Sequence, residues 1–102
     1  MPSIMRIWRG EVSASHAAEY LERVTPIALA DYRRVPGNRG AWVLSRSAGE
    51  VTEIMTLSLW DSMTSISAFA GDPPDRAKYY DFDAEYLLSL APSVEHWQVQ
   101  GD

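Results

Sequence analysis

Two histidines are the side chains whose ordinary titration falls near neutral pH, which makes them the first candidates for acid–base chemistry. His16 follows Ser15 near the start of a predicted helix, where we expect an exposed side chain. His96 lies in the last predicted strand, next to the first strand, so its ring can face a pocket opposite Arg6 or Trp8. We therefore predict a catalytic acid or base at His96; the alternative is a structural role, the commoner one for a lone histidine on a strand.

Two adjacent tyrosines, Tyr79 and Tyr80, follow the helix-breaking pair Pro73-Pro74. A segment with little regular structure at this place can act as a flap over the mouth of a pocket. Near neutral pH a tyrosine donates a proton rather than accepting one, unless its pKa is strongly lowered. We predict that Tyr80 handles a proton in catalysis and that Tyr79 lines the pocket; packing is the alternative for both.

A third group occupies alternate positions of one predicted strand, so that Thr56, Ser58 and Trp60 share a face. An aromatic wall beside two hydroxyls can orient a flat, partly polar ligand, which predicts a small-molecule pocket that Trp60 shapes. The alternative is ordinary packing, since tryptophans dominate protein cores and interfaces. Among the four tryptophans, we favour Trp60 and Trp8 for the pocket.

Composition excludes several classes of site. The chain has 102 residues and no cysteine, which rules out disulfides, thiolate nucleophiles and thiolate-bound metal clusters within it. The two histidines are far apart and belong to no carboxylate–histidine motif, so we predict no metal site. The sequence has no phosphate loop, dinucleotide fingerprint or nucleophile elbow. We therefore expect a protein without a cofactor.

Charge and hydropathy bear on partners and location. The net charge is −5, and residues 61–102 hold eight acidic residues against two bases, Arg76 and Lys78. Such a surface repels phosphate backbones, so we expect no nucleic-acid partner. No apolar run is long enough to span a bilayer, and Arg6 and Arg9 fall where a signal peptide needs an apolar stretch. The sequence therefore predicts a cytoplasmic protein without a membrane partner.

The elements that must position these residues form one domain over residues 1–102, in the order strand, helix, strand, strand, helix, strand. Strands are predicted from β-branched and aromatic runs, and helices from apolar residues at three- and four-residue spacing. The predicted bounds are Ser3–Glu11, a helix from Ser13 or Ser15 to about Arg34, Ala41–Arg46, Val51–Trp60, Met63–Ala70 and Ser93–Gln100, with short helical turns in residues 75–90. This order predicts an α+β fold of the ferredoxin-like β-α-β-β-α-β type, with an antiparallel sheet.

Both faces of the third strand are apolar enough to need cover. Met55, Leu57 and Leu59 lie on the face opposite the one that holds Trp60. A ferredoxin-like sheet covers one face with its own helices, so an apolar second face requires another chain. We predict a homodimer; the alternative is a monomer that leaves these side chains exposed.

Four segments of the chain carry a resemblance to a known family. They read IMRIWRGE at residues 4–11, PGNRG at 36–40, TLSLWD at 56–61 and EHWQV at 95–99. In this topology they resemble the antibiotic biosynthesis monooxygenase domain over nearly the whole chain. The resemblance implies a dimeric α/β barrel, in which two sheets face each other and each protomer keeps a pocket between sheet and helices. It implies no single chemistry, because the family includes cofactor-free oxygenases, haem-degrading enzymes and members of unassigned activity.

The quinone-forming oxygenases of this family place a tryptophan at the end of the third strand, an asparagine four residues earlier and a tyrosine six residues later. The matching tryptophan is Trp60, but the other two positions are Thr56 and Ile66. The polar pair that would bind a phenolic substrate is therefore not reproduced.

The haem-degrading branch uses an asparagine on the first strand, a tryptophan in the second helix and an axial histidine. The matching positions here are Trp8, Phe69 and Tyr79. Because the axial histidine is missing, we expect no tight haem complex. The comparison adds Phe69 to the residues predicted to line the pocket.

Three functions follow, each with a small aromatic molecule as ligand. The first is a cofactor-independent monooxygenase acting on an aromatic or polyketide-like substrate, with Trp60, Tyr80 and His96 as its catalytic residues. The second is a non-redox cyclase or isomerase that uses His96 and Tyr80 as acid and base. The third is a non-catalytic ligand-binding dimer.

Overall fold

The computed structural model describes residues 3–101 and is built on a four-stranded antiparallel sheet in the order β2-β3-β1-β4. The bounds of its elements are β1 Ile4–Ser13, α1 Ala17–Arg33, β2 Asn38–Ala48, β3 Val51–Trp60, α2 Met63–Ala70, α3 Asp83–Tyr86 and β4 Glu95–Gln98. This order and pairing confirm the predicted α+β ferredoxin-like fold. The single-turn helix α3 is the helical turn expected within residues 75–90.

Strand β3 and helix α2 begin and end where the sequence predicts. Ser62 caps α2, since its Oγ accepts a hydrogen bond from the backbone N–H of Ser65 at 3.2 Å. The cap satisfies one of the free N–H groups in the first turn of the helix. It also fixes the direction in which α2 leaves the end of β3.

The predicted start of the first helix is wrong. Strand β1 extends to Ser13 because its ladder with β3 continues through the pair Ser13–Val51. A 3-10 turn at Ala14–His16 follows, and α1 begins only at Ala17. Ser13 makes no side-chain cap bond within the described chain, so strand pairing rather than capping sets this boundary.

The two outer strands also differ in length from the prediction. Strand β2 is longer, because it pairs with β3 from Asn38–Trp60 to Ala48–Val51, with a bulge at Arg39. Strand β4 is shorter, because it pairs only with residues 4–7 of β1. The length of the available partner, rather than local composition, decides where these strands end.

Side chains alternate along β3 between a covered and an open face, as the sequence predicts. Thr56 and Trp60 are buried under the helices, whereas Leu57 is half-buried on the opposite face. Trp42, paired with Leu57, and Trp97, paired with Met5 on the same face, remain 47% and 60% exposed. This open face is the one that a second copy of the chain would have to cover.

Helix α1 covers the other face with about one buried residue per turn. Its buried residues are Ala17, Tyr20, Val24, Ala28 and Tyr32, a spacing that matches the helical repeat. Helix α2 adds Ile66 and Phe69 to the same core. Within residues 3–101 no helix is long and apolar enough to cross a bilayer.

Residues 71–94, which we call the strap, connect α2 to β4 and contact both β1 and α1. The backbone N–H of Leu88 donates to the carbonyl of Glu11 in β1 at 2.9 Å. The strap also closes on itself, because Val94 N–H donates to the Asp75 carbonyl at 2.8 Å. Apart from the single turn of α3, it has little regular structure.

Candidate functional site

Cross-strand pairing places the predicted site residues of the sheet in three neighbouring rows. Residues directly paired across an antiparallel ladder point to the same face, and here that face is the one under the helices. The rows are Trp8–Thr56, His96–Arg6–Ser58 and Ile4–Trp60. The sheet therefore brings all of its predicted site residues together on one side.

Arg6 is a buried charge at the centre of this face, with 2% of its surface exposed. Its Nη2 donates to the backbone carbonyl of Arg76 in the strap at 2.9 Å, and its guanidinium carbon lies 5.3 Å from the centre of the Phe69 ring. Its Nε has no hydrogen-bond partner among residues 3–101, and no carboxylate of that range pairs with it. Burial lowers the pKa of Arg6, although the nearby Tyr32 hydroxyl acts in the opposite direction.

Tyr32 extends from α1 to the middle of the sheet. Its hydroxyl lies 3.1 Å from Thr56 Oγ1, and its ring stacks on Phe69 with 4.6 Å between ring centres. Burial raises the pKa of Tyr32, an effect that the bond to Thr56 reduces without cancelling. The phenol is therefore neutral near pH 7.

Asp31, the preceding residue of α1, holds the strap from the side. Its Oδ2 accepts hydrogen bonds from Lys78 Nζ at 2.7 Å and from the Tyr80 hydroxyl at 2.9 Å. Burial favours a higher pKa for Asp31, but these bonds and one from Arg34 outweigh it and leave the pKa below its usual value. Burial raises the pKa of Tyr80, and Asp31 raises it further, so Tyr80 can only donate a proton near neutral pH.

Trp8 and Tyr79 form a second contact between sheet and strap. Trp8 Nε1 donates to the Tyr79 hydroxyl at 3.2 Å, and that hydroxyl donates to the Ala91 carbonyl at 2.6 Å. The two rings meet edge to face, with 6.2 Å between their centres. The Tyr79 hydroxyl therefore donates its hydrogen bond to a group within the strap.

Trp60 is fully buried, with 0% of its surface exposed. Its ring packs against Tyr32 and Phe69 at 6.4 and 5.6 Å between ring centres. Its Nε1 donates to Ser58 Oγ at 2.8 Å. The hydrogen-bond partner of the Trp60 indole N–H is therefore Ser58, another residue predicted for the pocket.

His96 is half-buried beside Arg6, and its Nε2 has no hydrogen-bond partner in the described part of the chain. Burial lowers the pKa of His96, and the Arg6 charge lowers it further, while Asp75 acts in the opposite direction. A lowered pKa keeps the ring neutral at pH 7. A neutral imidazole can accept a proton, as a general base requires.

A small cavity lies between the sheet, α1 and the strap. Its volume is about 20 Å³, enough for roughly one water molecule. Four predicted site residues line it: Trp8, Thr56, Tyr79 and Tyr80. The other four, Ser58, Trp60, Phe69 and His96, lie on the same side of the sheet but do not reach the cavity.

Other cavity-lining residues were not selected as site residues from the sequence. They are Arg6, Tyr20, Tyr32, Lys78 and Asp83, with Val24 and Ala28. A signal existed for Arg6, which shares its strand face with Trp8. None existed for Lys78 and Asp83, because the strap has no periodicity that could place them.

A larger, open depression of about 530 Å³ lies on the opposite face of the sheet. It is lined by Leu44, Met55 and the exposed ion pair of Arg46 with Glu53, among others. None of the predicted site residues borders it. We take the small cavity as the candidate site despite its size, because the buried polar groups are there. No group of three His, Asp or Glu side chains within residues 3–101 is placed to hold a metal ion.

Known proteins match this chain in structure. No family model and no curated protein matches its sequence. A protein of Nitrosomonas europaea, provisionally named an antibiotic biosynthesis monooxygenase, has 14% identity and a TM-score of 0.71, over 96% of this chain and 90% of that one. A heme-degrading protein of Mycobacterium tuberculosis has 22% identity and a TM-score of 0.62, over 98% and 96% of the two chains. SnoaB, a cofactor-independent oxygenase from Streptomyces nogalater, has 13% identity and a TM-score of 0.61, over 100% and 95%.

Identities of 13% to 22% establish architecture rather than activity. In each case the structural match extends over at least 90% of both chains. These matches confirm, at the level of fold, the resemblance predicted from four segments of the sequence. The chain has the fold of the antibiotic biosynthesis monooxygenase domain.

Proposed function

We propose that the chain binds a flat aromatic or polyketide-like molecule between its sheet and helices and oxidises it with molecular oxygen, without a cofactor. The observation that carries this proposal is the lining of the cavity, where Trp8, Tyr32, Thr56 and Tyr80 set aromatic rings beside hydroxyl groups. Such walls with a few polar groups are typical of sites for organic ligands. The fold shared with SnoaB, a cofactor-independent oxygenase, supports the same activity.

A cavity of about 20 Å³ is too small for such a ligand, so the strap has to move when one binds. Side-chain bonds hold the strap over the cavity, among them those from Lys78 and Tyr80 to Asp31 and the one from Tyr20 to Asp83. A bond of this kind, to a charged group, contributes a net stability of about 1.5–3 kcal/mol, because water replaces it when it breaks. Ligand binding has to offset the loss of these contacts when the strap opens.

In the proposed reaction the bound substrate, as an anion, gives an electron to O₂. One oxygen atom then enters a substrate CH₂ group as a carbonyl, and the other leaves as water with the two hydrogens. Once the strap has moved, His96, which is neutral and pairs with the cavity-lining Arg6, would accept the substrate proton, and Tyr80 would donate one. Trp60 would shape the pocket from behind, through its contact with Tyr32.

Oxygen uptake with a panel of anthrones and hydroquinones tests the proposal. We expect one O₂ consumed per anthrone oxidised, together with the absorbance of the quinone product. Tyr80→Phe should lower the rate about 100-fold if this hydroxyl acts as a general acid. Tyr86→Phe is the matched control, because Tyr86 lies outside the cavity and bonds Glu19. Equal rates in the two variants would contradict the role of Tyr80.

One observation favours a second candidate, a ligand-binding protein without oxygenase activity. Ile66 stands where the related oxygenases have a tyrosine, and it is fully buried in the core. The indole N–H of Trp60 is occupied by Ser58. Binding of an anthrone without oxygen uptake would support this candidate, whereas turnover without oxygen would indicate the cyclase or isomerase.

We also propose a homodimer in which the open faces of two sheets meet, since Trp42, Leu57 and Trp97 leave an apolar surface there. Sedimentation at micromolar concentration is expected to give twice the mass of the chain. Leu57→Asp places a charge in the middle of that face and should yield a monomer. A wild-type monomer at this concentration would refute the homodimer.

A further inference from the structure

Arg6 is a cation without an anion. It is 2% exposed, yet no carboxylate of residues 3–101 pairs with it. A buried charge is costly unless it is paired and hydrogen-bonded. The carboxylates that hold the strap are engaged elsewhere: Asp31 accepts from Lys78, Tyr80 and Arg34, and Asp83 accepts from the Tyr20 hydroxyl and the Tyr80 N–H.

The hydrogen-bonding capacity of the guanidinium is also unfilled. It carries five N–H donors, of which Nη2 bonds the Arg76 carbonyl, while Nε has no acceptor among the described residues. The neighbouring residue in the same row is His96, whose Nε2 also has no partner in that part of the chain. Two nitrogens without partners thus occur on residues paired directly across β1 and β4.

The surroundings of Arg6 indicate what kind of anion fits. The cavity it lines holds five aromatic side chains, Trp8, Tyr20, Tyr32, Tyr79 and Tyr80, and one carboxylate, Asp83, which already accepts from the Tyr20 hydroxyl and the Tyr80 N–H. Lys78 Nζ lies 4.4 Å from the centre of the Phe69 ring, over which the Arg6 guanidinium also lies. A hydrated inorganic ion gains nothing from aromatic walls, whereas a flat organic ligand with one ionised oxygen meets both features.

We propose that Arg6 is the specificity-determining residue of the site and selects a ligand whose oxygen is ionised, a phenolate or an enolate. This inference rests on the proposed function, because it assumes that the ligand enters the cavity under the strap. The ionised oxygen would accept from Arg6 Nε, and binding would displace or share the bond to the Arg76 carbonyl. The other charged and titratable groups around this oxygen would be His96, paired with Arg6, and the cavity-lining residues Tyr20, Tyr32, Lys78, Tyr79, Tyr80 and Asp83.

A chromophoric phenol and its methyl ether test this assignment. The probes are 4-nitrophenol, whose phenolate has its own absorbance band, and 4-nitroanisole, which cannot ionise. Wild-type protein should bind the phenolate and lower the pKa of the bound phenol below its value in water. Arg6→Gln should weaken phenolate binding about 10- to 100-fold, the value of a hydrogen bond to a charged group. The same variant should change the affinity for 4-nitroanisole less than about threefold, while Arg6→Lys restores part of the phenolate affinity.

Arg33→Gln is the matched control, because Arg33 is exposed on α1 and does not line the cavity. Arg6→Gln should fold, since it removes a buried charge that has no partner.

A bound phenol whose pKa rises in the wild-type protein would overturn the inference even without any variant. If each probe has the same affinity for the wild-type and Arg6→Gln proteins, the result supports the pocket but contradicts the role of Arg6. If neither probe binds wild-type protein, the proposed pocket itself fails, and displacement of the phenolate by inorganic phosphate would overturn the preference for an organic anion.

Discussion

Trp60→Ala is expected to lower the free energy of unfolding by about 3–5 kcal/mol, the usual cost of removing a large aromatic side chain from a core. Trp60 has 0% of its surface exposed and packs between Tyr32 and Phe69. Its removal also leaves the Ser58 hydroxyl without its donor. A domain of this size has a total stability of about 5–15 kcal/mol, so the variant should unfold at a much lower urea concentration.

Two further variants separate packing from a direct role in binding. Leu90→Ala removes an apolar side chain that is 50% exposed, and should change the unfolding free energy by less than about 0.5 kcal/mol. Trp60→Phe keeps most of the ring but loses the N–H that Ser58 accepts. If Trp60→Phe folds and binds ligand normally while Trp60→Ala loses most of its stability, Trp60 is structural. The remaining candidates for catalytic residues are then Trp8, Tyr80 and His96. A Trp60→Ala protein as stable as Leu90→Ala would contradict the buried position.

Local pattern was enough to predict the parts of the fold that local forces determine. The alternation along β3 predicted which side chains lie under the helices, and the bounds predicted for α2 are those observed. The start of α1 was not predictable in this way, because the pairing of Ser13 with Val51 competes with the capping signal of the same serine. The outcome depends on a strand that is distant in sequence.

The site was predictable only where it lies on the sheet. Strand parity brought Trp8 and Thr56 to the cavity, and the same parity applied to β1 would have added Arg6. The contacts of the strap are different, because they join residues distant in sequence. Arg6 bonds the backbone carbonyl of Arg76, 70 positions away, and the Tyr80 hydroxyl bonds the carboxylate of Asp31, 49 positions away. No periodic pattern in the strap could place these groups, so the charge balance around Arg6 becomes visible only in the folded chain.

Asp83 joins the strap to α1 inside the protein, and its loss should be the second large effect. It is 3% exposed; its Oδ1 accepts from the Tyr20 hydroxyl at 3.0 Å and its Oδ2 from the backbone N–H of Tyr80 at 2.6 Å. Burial raises the pKa of Tyr20, and Asp83 raises it further, so this phenol always presents its proton to the carboxylate. Both donors lose their acceptor in Asp83→Ala.

We expect Asp83→Ala to lower the free energy of unfolding by about 2–3 kcal/mol, since each buried group left unpaired costs about 1–3 kcal/mol and removal of the buried charge offsets part of the sum. Asp81→Ala is the matched control: it is exposed, two positions away, and should change the same quantity by less than about 0.5 kcal/mol. Urea titration of both variants measures the difference. Hydrogen exchange of the strap amides should also be faster in Asp83→Ala, because the strap has lost its buried link to α1 while Asp31 still holds Lys78 and Tyr80. Equal stability in the two variants would mean that the polar bonds of the strap contribute nothing to the fold, and that the strap opens as freely without Asp83 as with it.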